Sequence, residues 1–587
     1  MNQIIRDLRF NRFYYQPAIC PQDKIGTDVQ TTLIENLSNE IFYMIFDYLD
    51  GCHVYHAFLN LNERFQQLVK SSCCLLKIRF RLALSKKKHT NKWKQYIVLN
   101  KQQIFSIHMW PPSRTDQLCA EFTINSTFSR LESLVLGGMP SDQIISLLIE
   151  LPCLPRLFSL TIRDIKDRLK DLTNIYQMVF TLPLLKYFKY TTNDVDTSTS
   201  LSPATHKQFS TIEHMVMSHC CTFEQLSNIV SYTPQLRRLY FSHAYEIDLS
   251  YETTLPVTLL NLTYLRIRIR HLLFNAFEAF IRGMDSKLKV LYVCVGYEDS
   301  SYLDSDRWEE LIIKYLPHLE KFSLVIHEYQ GRVLNPSPYI EEPIQFNSSF
   351  WIERQTTVNT ENDEGLIKYS IQPLKKRWYE DTQDKIINSF VKHSQSNQFI
   401  LDLYTIPGRD NYEELIETIN YILFVSLFYH LEIPYDTIFT GLLIQILDVL
   451  PQLISLKLLS LSFNKPRKLS LQEIDILSSR KNTSQIKYVY LKKMITIEDI
   501  DFLMKLCPSM VYLRIDYAYK NNAESFVRNI LKKIDCKLNE HLHVLCFHIP
   551  RADNEMIKKF ENMIDSEKLL INYTIQRAGE NIYLQWK

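Results

Sequence analysis

The sequence predicts an α/β protein, in which a short N-terminal helical segment precedes a curved solenoid of parallel strands and helices. Three observations support this prediction. A Leu-x-x-Leu-x-Leu pattern recurs from residue 131 onward. Segments with helical periodicity lie between the repeats, and prolines often separate helix from strand. Before the repeats, residues 37–69 contain a helix that is apolar on two sides.

The repeat unit has apolar residues at its first, fourth and sixth positions. Consecutive units in the first half start 24 to 31 residues apart, which lies in the range of strand–helix repeat proteins. One unit cannot bury its apolar face alone, so the units must stack. The units of the first half begin at Leu131, Leu157, Leu185, Ile212, Leu236, Leu262, Leu288 and Leu319. The pattern returns with a strand near residues 399–406 and units at Leu453, Ile486, Met510 and Leu542.

Helix signals fill the intervals between the units. Thr222 and Gln225 form a capping-box pattern, and Leu226 and Ile229 mark an apolar face behind it. Several of these stretches end in an X-Pro dipeptide. Because the residue before proline avoids the α region, each such dipeptide ends a helix and starts the next strand.

Breaks in the repeat pattern predict the domain boundaries. Prolines and a polar run interrupt the pattern after residue 330, which indicates an irregular insertion. Residues 75–95 carry eight Lys and Arg residues, which we interpret as a solvated linker rather than a nuclear signal or nucleic-acid patch. The predicted segments are a flexible arm (1–30), the helical segment (31–75), a linker into the solenoid (76–125), its first half (126–330), the insertion (331–398), and its second half with a C-terminal cap (399–587).

The N-terminal helix has the spacing of an amphipathic element with two apolar stripes. One stripe holds Leu37, Ile41, Met44, Ile45 and Tyr48, and the other holds Phe42, Phe46 and Leu49. Ser38 can cap the helix, and Asp50-Gly51 can end it. About forty residues cannot build a self-sufficient core. We therefore expect part of this surface to face the following domain and part to face another protein.

Residues 37–69 resemble an F-box, the motif that binds the Skp1 adaptor of cullin-RING ubiquitin ligases. The matches to the family pattern are Leu37, Ile41, Ile45, Tyr48-Leu49, Val54, Leu61, Arg64 and Phe65. Three positions depart from it: Ser38 replaces Pro, His53 replaces Asp, and Phe65 replaces Trp. The resemblance implies a Skp1-like adaptor and a cullin complex as partners. The side chains implied to dock Skp1 are Leu37, Ile41, Ile45, Leu49, Val54 and Phe65.

The repeats resemble leucine-rich repeats of an irregular, helix-bearing kind, because the usual Asn after the third apolar position is absent. Residues between the apolar positions should face outward on the concave sheet. The candidate target-binding residues there are Tyr187, Lys189, Arg238, Tyr240, Tyr264, Arg266, Arg268 and Tyr292. Tyr and Arg are enriched at binding hot spots, and an acidic or phosphorylated target segment would suit them. The alternative interpretation is a solvated sheet face.

Composition argues against an enzyme. The chain has only 11 glycines, and none forms GxGxxG, GxxxxGK or GxSxG. No HExxH occurs, and no two of the 12 cysteines form CxxC. We therefore predict no catalytic residues, no cofactor and no metal, and we expect His219 beside Cys220-Cys221 to serve packing. The cysteines indicate reduced thiols, hence the cytosol or nucleus.

Three functions remain open. The first is a substrate-recognition adaptor of a Skp1-cullin-F-box ligase, with the repeat surface holding an unknown protein target. The second is a non-catalytic repeat scaffold without ubiquitin function. The third is a nucleic-acid-binding repeat protein, which the net charge of +2 disfavours. No apolar run is long enough to predict a membrane helix.

Overall fold

The computed structural model describes residues 36–80, 100–110, 124–163, 165 and 169–586. Gaps in the last range are 193–196, 244–256, 286, 297–298, 330–345, 347, 364–365, 374–396, 402–411, 426, 464–466, 480–483, 495, 517–522, 535–540 and 551. The predictions for the arm 1–30 and for the lysine run 86–94 lie outside the described residues. The chain divides into two compact units, residues 1–78 and residues 79–587.

The first unit is helical. Its helices are α1 (Asn39–Tyr48), α2 (Gly51–Phe58) and α3 (Glu63–Lys70), and strand β1 (Leu76–Phe80) crosses its C-terminal boundary. The core is aromatic, since the rings of Phe42 and Phe65 lie 4.8 Å apart and those of Phe46 and Phe58 lie 5.0 Å apart. All four side chains are buried. Phe42 and Phe46, two of the three residues in the second apolar stripe of α1, are thus buried in the interior of this unit.

Two local predictions for α1 need correction. Ser38 occupies the N-cap position, but its side chain does not cap the helix; its hydrogen bond to Glu40 instead lowers the pKa of that carboxyl. The helix ends at Tyr48, and Gly51 begins α2 rather than stopping α1. A Cβ on Gly51 would lie 2.9 Å from Ile78 Cδ1, so glycine permits this close approach.

The second unit alternates strands with helices. Its helices are α4 (Ser141–Glu150), α5 (Thr173–Phe180), α6 (Phe223–Ser231), α7 (Phe274–Gly283), α8 (Ser305–Tyr315), α9 (Ser349–Glu353), α10 (Tyr412–Val425), α11 (Thr440–Val449), α12 (Leu471–Ser479), α13 (Glu498–Leu506), α14 (Ala523–Ile534) and α15 (Asn554–Glu567). Its strands up to the insertion are β2 (Ile104–Met109), β3 (Ser133–Gly137), β4 (Ser159–Arg163), β5 (Tyr187–Thr191), β6 (His214–Cys221), β7 (Arg238–His243), β8 (Val257–Thr258), β9 (Tyr264–Ile269), β10 (Met284–Asp285), β11 (Val290–Gly296) and β12 (Lys321–Tyr329). The later strands are β13 (Thr356–Asp363), β14 (Leu366–Pro373), β15 (Gln398–Leu401), β16 (His430–Phe439), β17 (Ser455–Ser462), β18 (Tyr488–Leu491), β19 (Tyr512–Asp516), β20 (Val544–His548), β21 (Tyr573–Ala578) and β22 (Asn581–Trp586).

The α/β class is confirmed, because one large, mostly parallel sheet runs through the second unit without closing into a barrel. From β2 to β12 the strands pair in parallel in chain order, with β8 and β10 in a separate two-stranded sheet. Strands β15 to β20 continue in the same way. The hairpin β21–β22 pairs antiparallel with β20 at the C-terminal end.

The region expected to be an irregular insertion contributes two strands to this sheet. Strand β14 pairs antiparallel with β12 and β13, and β13 pairs in parallel with β15. Hydrogen bonding therefore continues from the first run of parallel strands to the second. Strand β16 also lacks a counterpart among the predicted repeat units.

The second apolar position of each repeat unit sets the register. Leu134, Leu160, Phe188, Met215, Leu239, Leu265, Leu291 and Phe322 align from strand to strand and are all buried. The helices pack on this face, as shown by ring contacts of Tyr176 with Phe188 (5.8 Å) and Trp308 with Phe322 (4.9 Å). Alternate strand residues therefore point to the opposite, open face of the sheet.

His219 lies on the buried face of β6, where strand alternation places it with Met215 and Met217. The register with β7 shifts between Val216 and Cys220. The His219 ring is fully buried, with Nε2 2.6 Å from the Tyr176 hydroxyl and Nδ1 3.2 Å from the Cys220 carbonyl oxygen. A carbonyl oxygen can only accept, so Nδ1 carries the proton and Nε2 accepts from Tyr176. Burial lowers the pKa of His219 to about 4.

His219 should make stability fall in mild acid. The imidazole has a pKa of about 6.5 when unfolded, so between pH 6.5 and 4 the unfolded chain binds more protons. The free energy of unfolding should therefore drop by about 2 kcal/mol from pH 7 to pH 5 through this group alone. Denaturant unfolding at both pH values should show a smaller drop for His219→Gln than for wild type. The exposed-histidine variant His318→Gln should keep the wild-type drop, and equal drops for all three proteins would contradict this role.

Candidate interaction surfaces

The first candidate surface lies on α1 of the helical unit. Leu37, Ile41, Ile45 and Leu49 are partly exposed. Met44 and Tyr48 on the same stripe are 54% and 66% exposed. Leu61, beyond α2, is 61% exposed. An apolar stripe of this extent on a helix whose other side forms the core is typical of a protein-binding surface.

Two predicted docking residues lie elsewhere. Val54 and Phe65 are 0% and 1% exposed, and Phe65 packs against Phe42 and Phe58. They support the helices from inside and present no surface to a partner. Met44 and Tyr48 take their places on the exposed stripe. The sequence placed both on the stripe, but periodicity alone did not show which members are exposed.

Arg64 fixes the N-terminal end of α1. Its guanidinium donates to the Leu37 carbonyl oxygen at 2.6 Å and to Asn39 Oδ1 at 2.7 Å, and it lies over the Phe42 ring. These bonds join α3 to the start of α1. Arg64 therefore orients the exposed stripe without being part of it.

The second candidate surface is on the open face of the sheet, and we call it the arginine–tyrosine ladder. It consists of Arg238, Tyr240, Tyr264, Arg266, Arg268 and Tyr292 on strands β7, β9 and β11. Strand register places Tyr240, Arg266 and Tyr292 in one row. The Arg266 guanidinium lies 5.1 Å from the Tyr240 ring centroid and 4.3 Å from that of Tyr292. Arg238 likewise lies 5.9 Å from the Tyr264 ring.

Strand β5 extends the ladder with the last two predicted residues. Tyr187 aligns with His214, which aligns with Arg238, and Lys189 aligns with Val216 beside Tyr240. Desolvation, aided by the nearby Arg163, lowers the pKa of Lys189. Desolvation raises the pKa of Tyr292. The structure thus brings all eight predicted concave-face residues onto one continuous strip.

Comparison with known proteins leaves the family open: no protein-family model matches the chain, and no curated protein matches it in sequence. Among the described residues, no helix combines the length and hydrophobicity needed to span a bilayer. The same residues contain no group of three or more His, Cys, Asp or Glu side chains placed to hold a metal ion.

Proposed function

We propose that this chain is a substrate-recognition adaptor of a Skp1-cullin-F-box type ubiquitin ligase, acting in the cytosol or nucleus. The helical unit docks a Skp1-like adaptor, and the second unit, a leucine-rich-repeat-like solenoid, holds a protein target. Ubiquitin transfer belongs to partner subunits. The single observation that carries the proposal is the exposed stripe of α1, because its residues match the F-box pattern.

The proposal is supported by the separation of residues 37–69 into buried core residues and exposed residues on the other side of α1. Phe42, Phe46 and Phe65 close the core, which frees the opposite side of α1 from packing. The departures at Ser38 and His53 are tolerable on physical grounds, because both side chains are exposed. Phe65, an aromatic residue in place of the usual Trp, fits the interior. None of the three departures removes a partly exposed apolar side chain from the stripe.

Replacing two stripe residues by aspartate should abolish adaptor binding. Ile41→Asp combined with Ile45→Asp puts two charges where an apolar contact must be desolvated, so Skp1 affinity should fall about 100-fold or more. Co-purification of Skp1 and a cullin with the tagged full-length chain measures this. The matched control is Ile149→Asp with Ile313→Asp, which places the same charges at exposed isoleucines of the second unit. It should retain wild-type binding.

Two outcomes would contradict the proposal. If the wild-type chain retrieves no Skp1, the adaptor function fails and a scaffold function takes its place. If the α1 variant retrieves as much Skp1 as the wild type, docking does not use this stripe. Circular dichroism should show that both variants remain folded, since every replaced side chain is at least partly exposed.

A further inference from the structure

We propose that the arginine–tyrosine ladder binds an extended peptide segment rich in carboxylates, contributed by the target protein. This inference rests on the proposed function, because it names the chemical class of the target that the second unit holds. Three features of the open face support it: uncompensated positive charge, arginines already ordered by tyrosine rings, and a strip of suitable length.

Charge compensation differs between the two halves of the open face. In the later strands the cations have carboxylate partners: Lys457 lies 2.6 Å from Glu432, and Lys368 lies 2.6 Å from Glu361. Arg514 lies 3.7 Å from Asp516. Lys457 and Arg514 flank the Tyr490 ring, whereas in the ladder two tyrosine rings flank Arg266. Rows of alternating cations and tyrosines therefore occur in both runs of strands, with carboxylate partners in the later run and none among the described residues for the arginines of the ladder.

In the first half, no described carboxylate forms an ion pair with Arg238, Arg266 or Arg268. The ion pairs nearby involve strand-entry residues instead, with Glu213 bound to Lys186 and Arg237. The charges also repel one another. Desolvation, and then Lys368 and Arg268, lower the pKa of His327 on neighbouring strand β12. An anionic ligand would relieve this repulsion.

The tyrosines prepare the arginines for binding. Rings on both sides of Arg266 restrict its guanidinium, which reduces the conformational entropy lost when a ligand binds. A guanidinium beside an aromatic ring can still donate hydrogen bonds through the N–H groups at its edges. Those edges match the two oxygens of a carboxylate. The tyrosine hydroxyls add further donors along the strip.

The dimensions fit an extended peptide. Strands β5, β6, β7, β9 and β11 are successive neighbours, so the strip spans about 19 Å at about 4.8 Å per strand. An extended peptide covers this length with about six residues, with alternate side chains facing the sheet. A protein segment is favoured over nucleic acid because the sequence pI is about 7.9 and the formal net charge is +2, without the strong basic excess typical of nucleic-acid-binding domains.

Binding of a labelled peptide to the full-length chain tests the proposal. The probe is an alternating Glu-Ser peptide of about 12 residues, and the matched probe is the Gln-Ser peptide, both measured by fluorescence anisotropy at about 0.15 M salt. The Glu-Ser peptide should bind saturably and at least about tenfold more tightly than the Gln-Ser peptide. Arg266→Gln with Arg268→Gln should weaken its binding about tenfold or more. Arg156→Gln with Lys207→Gln removes the same charge from exposed positions off the strip and should leave binding unchanged.

The remaining outcomes overturn the proposal. Equal affinity for the two peptides would show that carboxylates are not required. An equal loss of affinity in both double variants would show that binding depends on net charge and not on the arginines of the ladder. An oligothymidine of the same length that binds more tightly than the Glu-Ser peptide would assign the strip to nucleic acid. Because the assay contains no Skp1, its failure leaves adaptor docking intact, and loss of Skp1 docking leaves peptide binding intact.

Discussion

Phe65→Ala should lower the free energy of unfolding of the helical unit by about 3–5 kcal/mol. Phe65 is 1% exposed, and its ring lies 4.8 Å from Phe42 and 5.3 Å from Phe58. Removing it opens a cavity in a core that few residues build. Hydrogen exchange of peptides from residues 39–70 in the full-length chain should accelerate strongly. Exchange in the second unit should not change.

The Phe65→Ala variant distinguishes a residue that stabilises the helical unit from residues that contact Skp1. Phe65→Ala should abolish Skp1 binding and also reduce the protection of the helical unit from hydrogen exchange. The Ile41→Asp, Ile45→Asp variant should abolish Skp1 binding but retain this protection. Tyr48→Ala, at a residue 66% exposed, is the matched aromatic control and should leave exchange unchanged. Wild-type exchange rates in Phe65→Ala would show that the aromatic cluster does not hold the helices together.

Glu473→Ala should lower the free energy of unfolding of the second unit by about 2–4 kcal/mol. Glu473 lies in the first turn of α12 and is 1% exposed. Its carboxylate accepts from Arg467 at 2.7 and 2.9 Å, from Gln445 at 2.8 Å and from the Ser470 backbone N–H at 2.7 Å. Alanine would leave Gln445 and the Ser470 N–H without this acceptor, while Arg467 retains access to solvent. Denaturant unfolding followed by far-UV circular dichroism measures the loss.

The contributions of the charge and of the size of the Glu473 side chain to stability can be measured separately. Glu473→Gln keeps the size of the side chain and should cost less than Glu473→Ala, and the exposed control Glu555→Ala should cost under about 0.5 kcal/mol. Bonding to Arg467 lowers the pKa of Glu473 to about 2. Its contribution should therefore be complete above about pH 4.5 and disappear as the pH falls through 2. A midpoint for Glu473→Ala equal to that of the wild type would refute this role.

Close packing around Glu473 also explains a glycine. A Cβ on Gly441 would lie 2.5 Å from Glu473 Oε1 and 2.5 Å from Phe439 Cε1. The start of α11 can approach the carboxylate only because this side chain is missing. No pattern in the sequence indicates this contact, because Gly441 and Glu473 lie on different helices.

The predicted strands were largely correct because their signal is local. Each repeat unit of the first half contains one observed strand, from β3 to β12, and each unit from Leu453 onward contains one from β17 to β20. The alternation of apolar residues that marks a strand spans only six residues, and it recurs in each repeat unit. The predicted strip on the open face follows from the same alternation, which is why its eight residues lie together.

Features that depend on contacts between distant parts of the chain could not be predicted from the sequence. Strands β13 and β14 carry polar residues and pair antiparallel, so no repeat period marked them. Val54 and Phe65 match positions of the F-box pattern that were predicted to dock a partner, yet both side chains are buried. Alternation within β6 turns His219 inward, but its bond to the Tyr176 hydroxyl joins residues 43 positions apart, which no local pattern indicates.

Sequence alone determined the α/β class, the order of repeating strands and the apolar character of α1, because each depends on side-chain spacing along a single element. Tertiary structure alone decided which side of α1 remains exposed and which cations find carboxylates. Burial and ion pairing depend on residues brought together from distant parts of the chain. The clearest case is the ladder, whose arginines form no ion pair with a carboxylate in the described part of the chain, whereas Lys457 and Arg514 in the later strands do.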